Sequence, residues 1–326
     1  MPSTTSTGEA PARPVQAPDP LDTVRRALAE TARLQGLDAQ DAELIYDAGS
    51  WVFRLPGGVV GKVHNRATHY AALAAQVRAA TALQAAGIQT AAPIGRIGTA
   101  AGHLVTFAED LGPDEPGEGE YGELLARLHA LRPAPELTAN PKDKITRTLG
   151  RLRGLRPTAI SEADRTRLRR LFEAAVDAYH QTAWPEPCLT HGDVTLSNAA
   201  RTPAGAALLD LETLGPGNLA FDQATPAFAR DAFSKDPDQY DAWTAGYGYD
   251  IAAQAPGRYE LLVPIMGINS CAFYLNLADR SRPDARPQAD HRLDTLLSHR
   301  PLPWDWTPGA VTRPPTPDRA RSANLS

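Results

Sequence analysis

Hydrophobic positions change their period once along the chain. In residues 21–37, Val24, Leu28, Thr31 and Leu34 recur at helical spacing, which predicts an amphipathic helix. Short β-like runs follow at residues 44–46, 51–55 and 59–63, and Pro56-Gly57-Gly58 between the last two predicts a turn. Residues 68–86 are alanine-rich, lack Pro and Gly, and stop at Gly87, the pattern of a long helix with a glycine cap. Strands return at 94–97 and 104–107, so this part reads as a small, mostly antiparallel sheet carrying a helix.

An acidic stretch punctuated by Gly112, Pro113, Pro116, Gly117 and Gly119 marks a boundary. Helical patterns dominate beyond it, at 121–131, 161–180, 221–228, 240–247 and 258–278, with a strand–loop–strand segment at 188–211. Residues 1–19 and 307–326 are rich in Pro with Ser, Thr or Arg and read as disordered tails. The expected organisation is an N-terminal lobe over 20–110 and a larger lobe over 111–306.

Composition narrows the class. The chain has 326 residues, 42% apolar and 22% charged, as an ordinary globular protein does. A net charge of −5 argues against a nucleic-acid partner and leans towards a cationic ligand. Two cysteines, Cys188 and Cys271, have no CxxC spacing and no histidine ring, which excludes a zinc site and suits a reducing compartment. No basic segment followed by an apolar one opens the chain, and the apolar window 261–278 carries Pro264, Asn269, Ser270 and Asn276. That window suits a buried helix better than a bilayer span. The expectation is a cytoplasmic protein, monomer or homodimer, with no membrane partner.

The chemistry lies in residues 189–212. An Asp and an Asn share one loop, Asp193 and Asn198, and an apolar strand at 206–209 ends in Asp210-Leu211-Glu212. Phosphoryl transfer needs this set: Asp193 to accept a hydroxyl proton, and Asn198 and Asp210 as hard oxygen ligands for Mg²⁺. Oxygen donors alone argue against zinc or copper.

The segment resembles the catalytic loop and metal-binding strand of the aminoglycoside phosphotransferase family, which is similar in fold to the eukaryotic protein kinases. The pattern His-Gly-Asp, four residues, Asn, then a strand ending in Asp-x-Glu is met at His191, Gly192, Asp193, Asn198, Asp210 and Glu212. Residues 215–222, closing on Asp222, and the Leu-x-x-Leu-His stretch 125–129 resemble two further family segments. The resemblance implies a two-lobed α+β kinase-like fold with a hinge at 107–111, binding ATP or another nucleoside triphosphate and Mg²⁺.

It also assigns supporting roles. Lys62 matches the strand lysine that contacts the α- and β-phosphates. Gly49 and Ser50 sit where a turn lays backbone N–H groups over phosphates. The family's lysine-holding glutamate falls on Gln76, and no other acid lies in that helix, so an ion pair is lost there. His191 is expected to pack within the loop, Asp222 to cap a helix or anchor the loop, and His129 to pack.

Acids interleaved with aromatics suit a polyamine or aminated sugar. Asp231, Asp241, Trp243 and Tyr247 are the foremost candidates, with Asp236, Asp238, Asp250, Tyr240 and Tyr249 beside them. Trp304 and Trp306 either close the pocket or staple the tail. The expected function is ATP- and Mg²⁺-dependent phosphorylation of a free hydroxyl on a small molecule, an aminoglycoside or similar cationic antibiotic. The alternatives are a choline-like, homoserine-like, nucleoside or peptide-antibiotic acceptor, or a nucleotide-binding pseudoenzyme, a reading that only Gln76 favours.

Overall fold

The computed structural model describes residues 20–47, 50–140, 142–280 and 282–307. Gly49 and all but Thr307 of the two expected tails lie outside these residues.

The chain opens with helix α1 (Pro20–Leu34), then strands β1 (Glu43–Asp47), β2 (Ser50–Leu55) and β3 (Val59–His64). Helix α2 (Tyr70–Ala85) precedes strands β4 (Pro93–Ala100) and β5 (His103–Glu109). The strands form one antiparallel sheet in the order β1-β2-β3-β5-β4. Leu55 pairs with Val59 across the β2–β3 turn, and Gly57 and Gly58 both hold positive φ, 82° and 74°. Side chains with a β-carbon resist that conformation, so the glycine pair fixes the hairpin.

One face of the sheet packs on α1. Val24, Ala27, Leu28 and Ala32 are buried against Phe53, Leu55, Val59, Val63, Val105 and Phe107. Thr31 is buried in the helix, whereas Leu34, expected on the apolar stripe, is 67% exposed at its end. Period-two alternation along β3 buries Val59, Gly61 and Val63 on the α1 side and turns Lys62 to the opposite face. That alternation places Lys62 in the cleft.

Beyond this lobe come α3 (Glu118–His129), α4 (Lys144–Arg153), α5 (Glu162–His180) and a strand β6 (Cys188–Thr190). Two short hairpin strands, β7 (Ala199–Thr202) and β8 (Gly205–Leu208), lead to β9 (Gly215–Gly217), which pairs with β6. Helices α6 (Leu219–Phe233), α7 (Pro237–Tyr247), α8 (Ile251–Gln254), α9 (Pro256–Arg280) and α10 (Arg286–Leu297) complete the chain. Helix α9 is long and apolar enough to cross a membrane. Here Leu262, Ile265, Ile268, Cys271 and Leu275 are instead buried in the main core, among α4, α5, α6 and α10.

Helix α2 departs from the expected lobe boundary. Ala79, Ala80 and Leu83, with Ile88 after it, belong to the large helical core and not to the sheet core. The segment behind it is tied to the same side, since the Leu208 N–H donates to the Gln89 carbonyl at 2.8 Å. The C-terminal Trp304 and Trp306 staple rather than gate. Their N–H groups donate to the carbonyls of Asp231 and Ala232, and both rings pack edge-on to Phe228.

Helices α3 and α7 approach so closely that only glycine fits between them. A β-carbon at Gly122 would lie 2.5 Å from the Trp243 carbonyl oxygen, and one at Gly246 would overlap the Gly119 carbonyl. Glycine to alanine in a free helix stabilises by up to about 1 kcal/mol. Gly122→Ala should do the reverse and lower the unfolding free energy by about 1–3 kcal/mol, the usual cost of overpacking. Urea denaturation checks the sign; a midpoint at or above wild type would contradict the close approach.

Candidate active site

The loop between β6 and β7 is shaped by buried polar groups. Gly192 has φ of 80°, and a β-carbon there would meet the Arg147 guanidinium at 2.7 Å and the Thr213 carbonyl at 3.1 Å. Both the conformation and the crowding demand glycine. The N–H groups of His191 and Gly192 converge on the carboxylate of Asp222, at 2.7 and 3.0 Å. Asp222 is fully buried in the first turn of α6, and His129 Nε2 lies 3.1 Å away as a further donor. Burial pushes its carboxyl up, but the His129 hydrogen bond and the charges of His129, Lys144 and His191 outweigh it. Its pKa is held below the ordinary 3.8.

Carbonyls of the same loop are met by cations and hydroxyls. Arg147 of α4 donates to the Gly192 and Thr213 carbonyls at 3.1 and 3.2 Å, and Thr213 Oγ1 donates to the His191 carbonyl at 2.6 Å. His191 donates Nε2–H to the Leu209 carbonyl at 2.9 Å and is completely buried. So engaged, it packs and orients the loop.

What remains exposed is Asp193. The Asn198 amide Nδ2 donates to both its carbonyl and its carboxylate Oδ2 at 3.0 Å. The amide oxygen of Asn198 therefore points away from Asp193 and has no protein donor among the described residues. Asp210 follows β8 in the left-handed conformation, φ 49° and ψ 66°, and its Oδ1 lies 3.2 Å from Lys62 Nζ. Burial pushes the Lys62 ammonium down, but the carboxylates of Asp210 and Glu212 more than offset it and raise its pKa. The Asp210 charge is in turn the largest influence raising the carboxyl of Glu212, with Asp193 adding to it. An excess of anionic oxygen beside a free amide oxygen fits a hard divalent cation.

Several expected residues stand elsewhere. The lysine partner is Asp210 rather than Gln76, which lines an open cleft of about 790 Å³ with Glu212 and Pro216. Ser50 pairs in register with His64 at the mouth of the β2–β3 hairpin. Three of the five acids read as cation contacts are engaged in structure. Asp231 pairs with Arg230 at 2.6 Å and accepts from Tyr259 Oη at 2.7 Å. Asp236 and Asp250 cap α7 and α8, and Asp250 also accepts from Tyr240 Oη. Asp241 is exposed on α7. The Tyr247 hydroxyl bonds His129 and Gln223, while Trp243, fully buried and stacked on Tyr247, lines a cavity beside the catalytic loop.

Sequence reasoning missed α4 and its cations. Lys144, Arg147 and Arg151 feel the Asp193 charge, and Arg151 also binds Asn269 Oδ1 at 2.8 Å. Their spacing of three and four residues was the available signal. Tyr46 of β1 was also missed; burial and then the Asp210 charge raise its hydroxyl pKa.

Comparison with known proteins agrees with this fold. The sequence matches the model of the phosphotransferase enzyme family over residues 30–262. No curated protein sequence matches it. Among solved structures, a choline/ethanolamine kinase family protein from Mesorhizobium loti aligns with a TM-score of 0.62 at 17% identity, covering 85% of this chain and 94% of that one. The GDP and kanamycin complex of an aminoglycoside phosphotransferase gives 0.61 at 14% identity, over 83% and 98%. An amicoumacin kinase with AMP-PNP and Ca²⁺ gives 0.61 at 11% identity, over 84% and 92%. These are likenesses of fold.

Asp222→Asn keeps the side-chain shape but turns an N–H towards groups that donate. It should cost about 3 kcal/mol at pH 7, in the range for breaking a buried charged contact. Because the folded carboxyl titrates below 3.8, its contribution is complete above that value and is lost as pH falls through the folded pKa. The gap between wild type and variant should thus persist down to about pH 4 and close only below it. Urea midpoints across pH test both statements, and a gap under about 0.5 kcal/mol at pH 7 would contradict the anchor.

Proposed function

This chain belongs to the phosphotransferase enzyme family, a family of small-molecule kinases, and on that premise we propose that it is an ATP- and Mg²⁺-dependent O-phosphotransferase acting on a hydroxyl of a small molecule. The observation that carries the reading is the exposed Asp193 carboxylate held by Asn198, beside the Lys62–Asp210 pair. Structures similar in fold bind GDP with kanamycin and AMP-PNP with Ca²⁺, which supports a nucleotide and a divalent cation here.

The residues fall into named roles. Bound ATP would supply the phosphoryl group, and Mg²⁺ would neutralise charge on its phosphate oxygens. Asn198 and Asp210 would hold the metal through the amide oxygen and a carboxylate. Lys62, turned into the cleft by the alternation of β3, would meet the nucleotide phosphates. Asp193 takes the proton of the acceptor hydroxyl as its oxygen bonds to the γ-phosphorus, and ADP leaves with the electron pair of the broken P–O bond. Asp222 and Arg147 keep Asp193 in place from below.

An aminoglycoside is the acceptor the sequence favours, but the acids on which that rests cap helices, pair with Arg230 or lie on the exposed side of α7. An acceptor that is not a polycation is the better reading of the geometry. A pseudoenzyme would have no use for the Asp193–Asn198 arrangement, and Lys62 has an acid despite Gln76.

Two variants test the reading. Asp193→Asn should fold and bind AMP-PNP as wild type does, yet lose about 10²–10⁴-fold in ATP turnover, the usual worth of a positioned general base. Turnover within a few-fold of wild type would exclude that role. Asp210→Ala should remove most of the strengthening of AMP-PNP binding by Mg²⁺, read by calorimetry with and without the metal. Equal metal dependence in wild type and variant would take Asp210 out of the metal site.

A further inference from the structure

A cavity of about 260 Å³ opens beside the catalytic loop, between Val194, Thr195 and Leu196 on one side and helices α6, α7, α9 and α10 on the other. Its volume lies just below the range of drug-sized pockets, and aromatic side chains make up much of its wall. Its charged groups are decisive. Glu118 lies 3.7 Å from Lys235, Arg230 is paired with Asp231, and the Asp236 carboxylate accepts from the Asp238 N–H. Asp236 keeps its charge at the exposed rim, and of the buried charges Arg292 is left over. It is completely buried, and among the described residues no carboxylate lies in ion-pair range of it.

Its contacts are all neutral. Nη1 donates to Ser270 Oγ at 2.5 Å and Nη2 to the Thr307 carbonyl at 2.8 Å, while Nε has no partner among the described residues. The guanidinium carbon lies 3.6 Å from the centre of the Tyr274 ring and 5.2 Å from that of Phe233. Stacking offsets part of the cost of burying a cation, but arginine stays charged and a buried charge without a counter-ion is expensive. A role in stapling the C-terminal segment accounts for Nη2 and the aromatic neighbours. It leaves both Nε and the charge unexplained.

A second observation points the same way. Lys144 and Arg147 lie in the field of Asp222 and then of Asp193, and Arg151 in that of Asp193, yet none of the three is within ion-pair range of a carboxylate among the described residues. Arg151 binds Asn269 and Arg292 binds Ser270, consecutive residues of α9, so the two sets of cations flank the same stretch of helix.

We propose that the acceptor of this kinase is a small hydroxylated carboxylate with an apolar body, its body in this cavity and its carboxylate on Arg292, the hydroxyl reaching Asp193 past Val194–Leu196. The inference rests on the kinase reading for the hydroxyl end, but the anion site stands on the cavity alone. Arg292 is then a specificity residue that selects against amines.

Three probes with one ring and different charge test it on the full chain: 4-hydroxyphenylacetate, tyramine and tyrosol, an anion, a cation and a neutral alcohol. Calorimetry should give 4-hydroxyphenylacetate about ten-fold or more over tyrosol, the worth of a charge-assisted hydrogen bond, and no binding of tyramine. Arg292→Met, close in volume, should abolish the preference. Ala229→Leu, which projects into the cavity from α6, should remove binding of all three whatever their charge. If Arg292→Met does not fold, the wild-type ranking and Ala229→Leu decide. Tyramine equal to or tighter than the acid, a preference that survives in folded Arg292→Met, or no binding of 4-hydroxyphenylacetate would each overturn the proposal. AMP-PNP affinity measured on the same preparations separates the two readings: its absence with anion selection intact would sink the kinase reading and leave the anion site.

Discussion

The buried carboxylate of Asp222 is the contact on which the site depends. Backbone N–H groups without acceptors are costly in a protein interior, and the tight turn at His191-Gly192 leaves two with no strand or helix partner. Asp222 accepts both and tolerates burial because it sits at the N-terminal end of a helix, with His129 as donor and Lys144 in its field. Arg147 does the complementary work on the carbonyls. With donors served by an anion and acceptors by a cation, the loop is fixed from beneath, and Asp193 is left to face outwards.

The two lobes are joined by more than a hinge. Lys62 comes from the sheet and Asp210 from the end of β8, so one ion pair spans the cleft. That pair is partly open to solvent and is worth little alone. The sturdier link is α2, which follows β3 in sequence yet buries Leu83 in the helical core, while Gln89 accepts from the Leu208 N–H. The strand carrying Lys62 is thus tied by a short connection to a helix packed near Leu211 to Thr213. This placement keeps the lysine near the carboxylates although α2 offers no acid of its own.

Elements with strong periodicity were legible in the sequence, and so was the loop motif. The β2–β3 hairpin announced itself through two glycines that adopt positive φ, and the order Asp193, Asn198, Asp210 named residues that the fold brings to one place before any contact was known. Helix α4 was missed because Pro141 and the basic run around Arg151 mask a short amphipathic segment. Helix α10 was missed because Arg286, Asp290 and His291 leave little apolar pattern to read. Leu34 was misread because a helix end can expose what a helix middle buries. The acids of α6 to α8 misled for a different reason. Sequence shows that an Asp is present, but not whether it caps a helix, as Asp236 and Asp250 do, or pairs with the residue before it, as Asp231 does.

Carboxylates and cations share the surroundings of Asp193. Asp210 and Glu212 lie near Lys62, and on the proposed function a bound divalent cation would offset their charge against the nucleotide phosphates. Arg147 and Arg151 donate to the neutral oxygens of Gly192, Thr213 and Asn269, and both also feel the charges of Asp193 and Glu212. An anion arriving there would meet cations already oriented by the loop they support, so little reorganisation is needed on binding. The residues that shape the catalytic loop therefore also shape the field around Asp193, and a change that loosened Arg147 would disturb both.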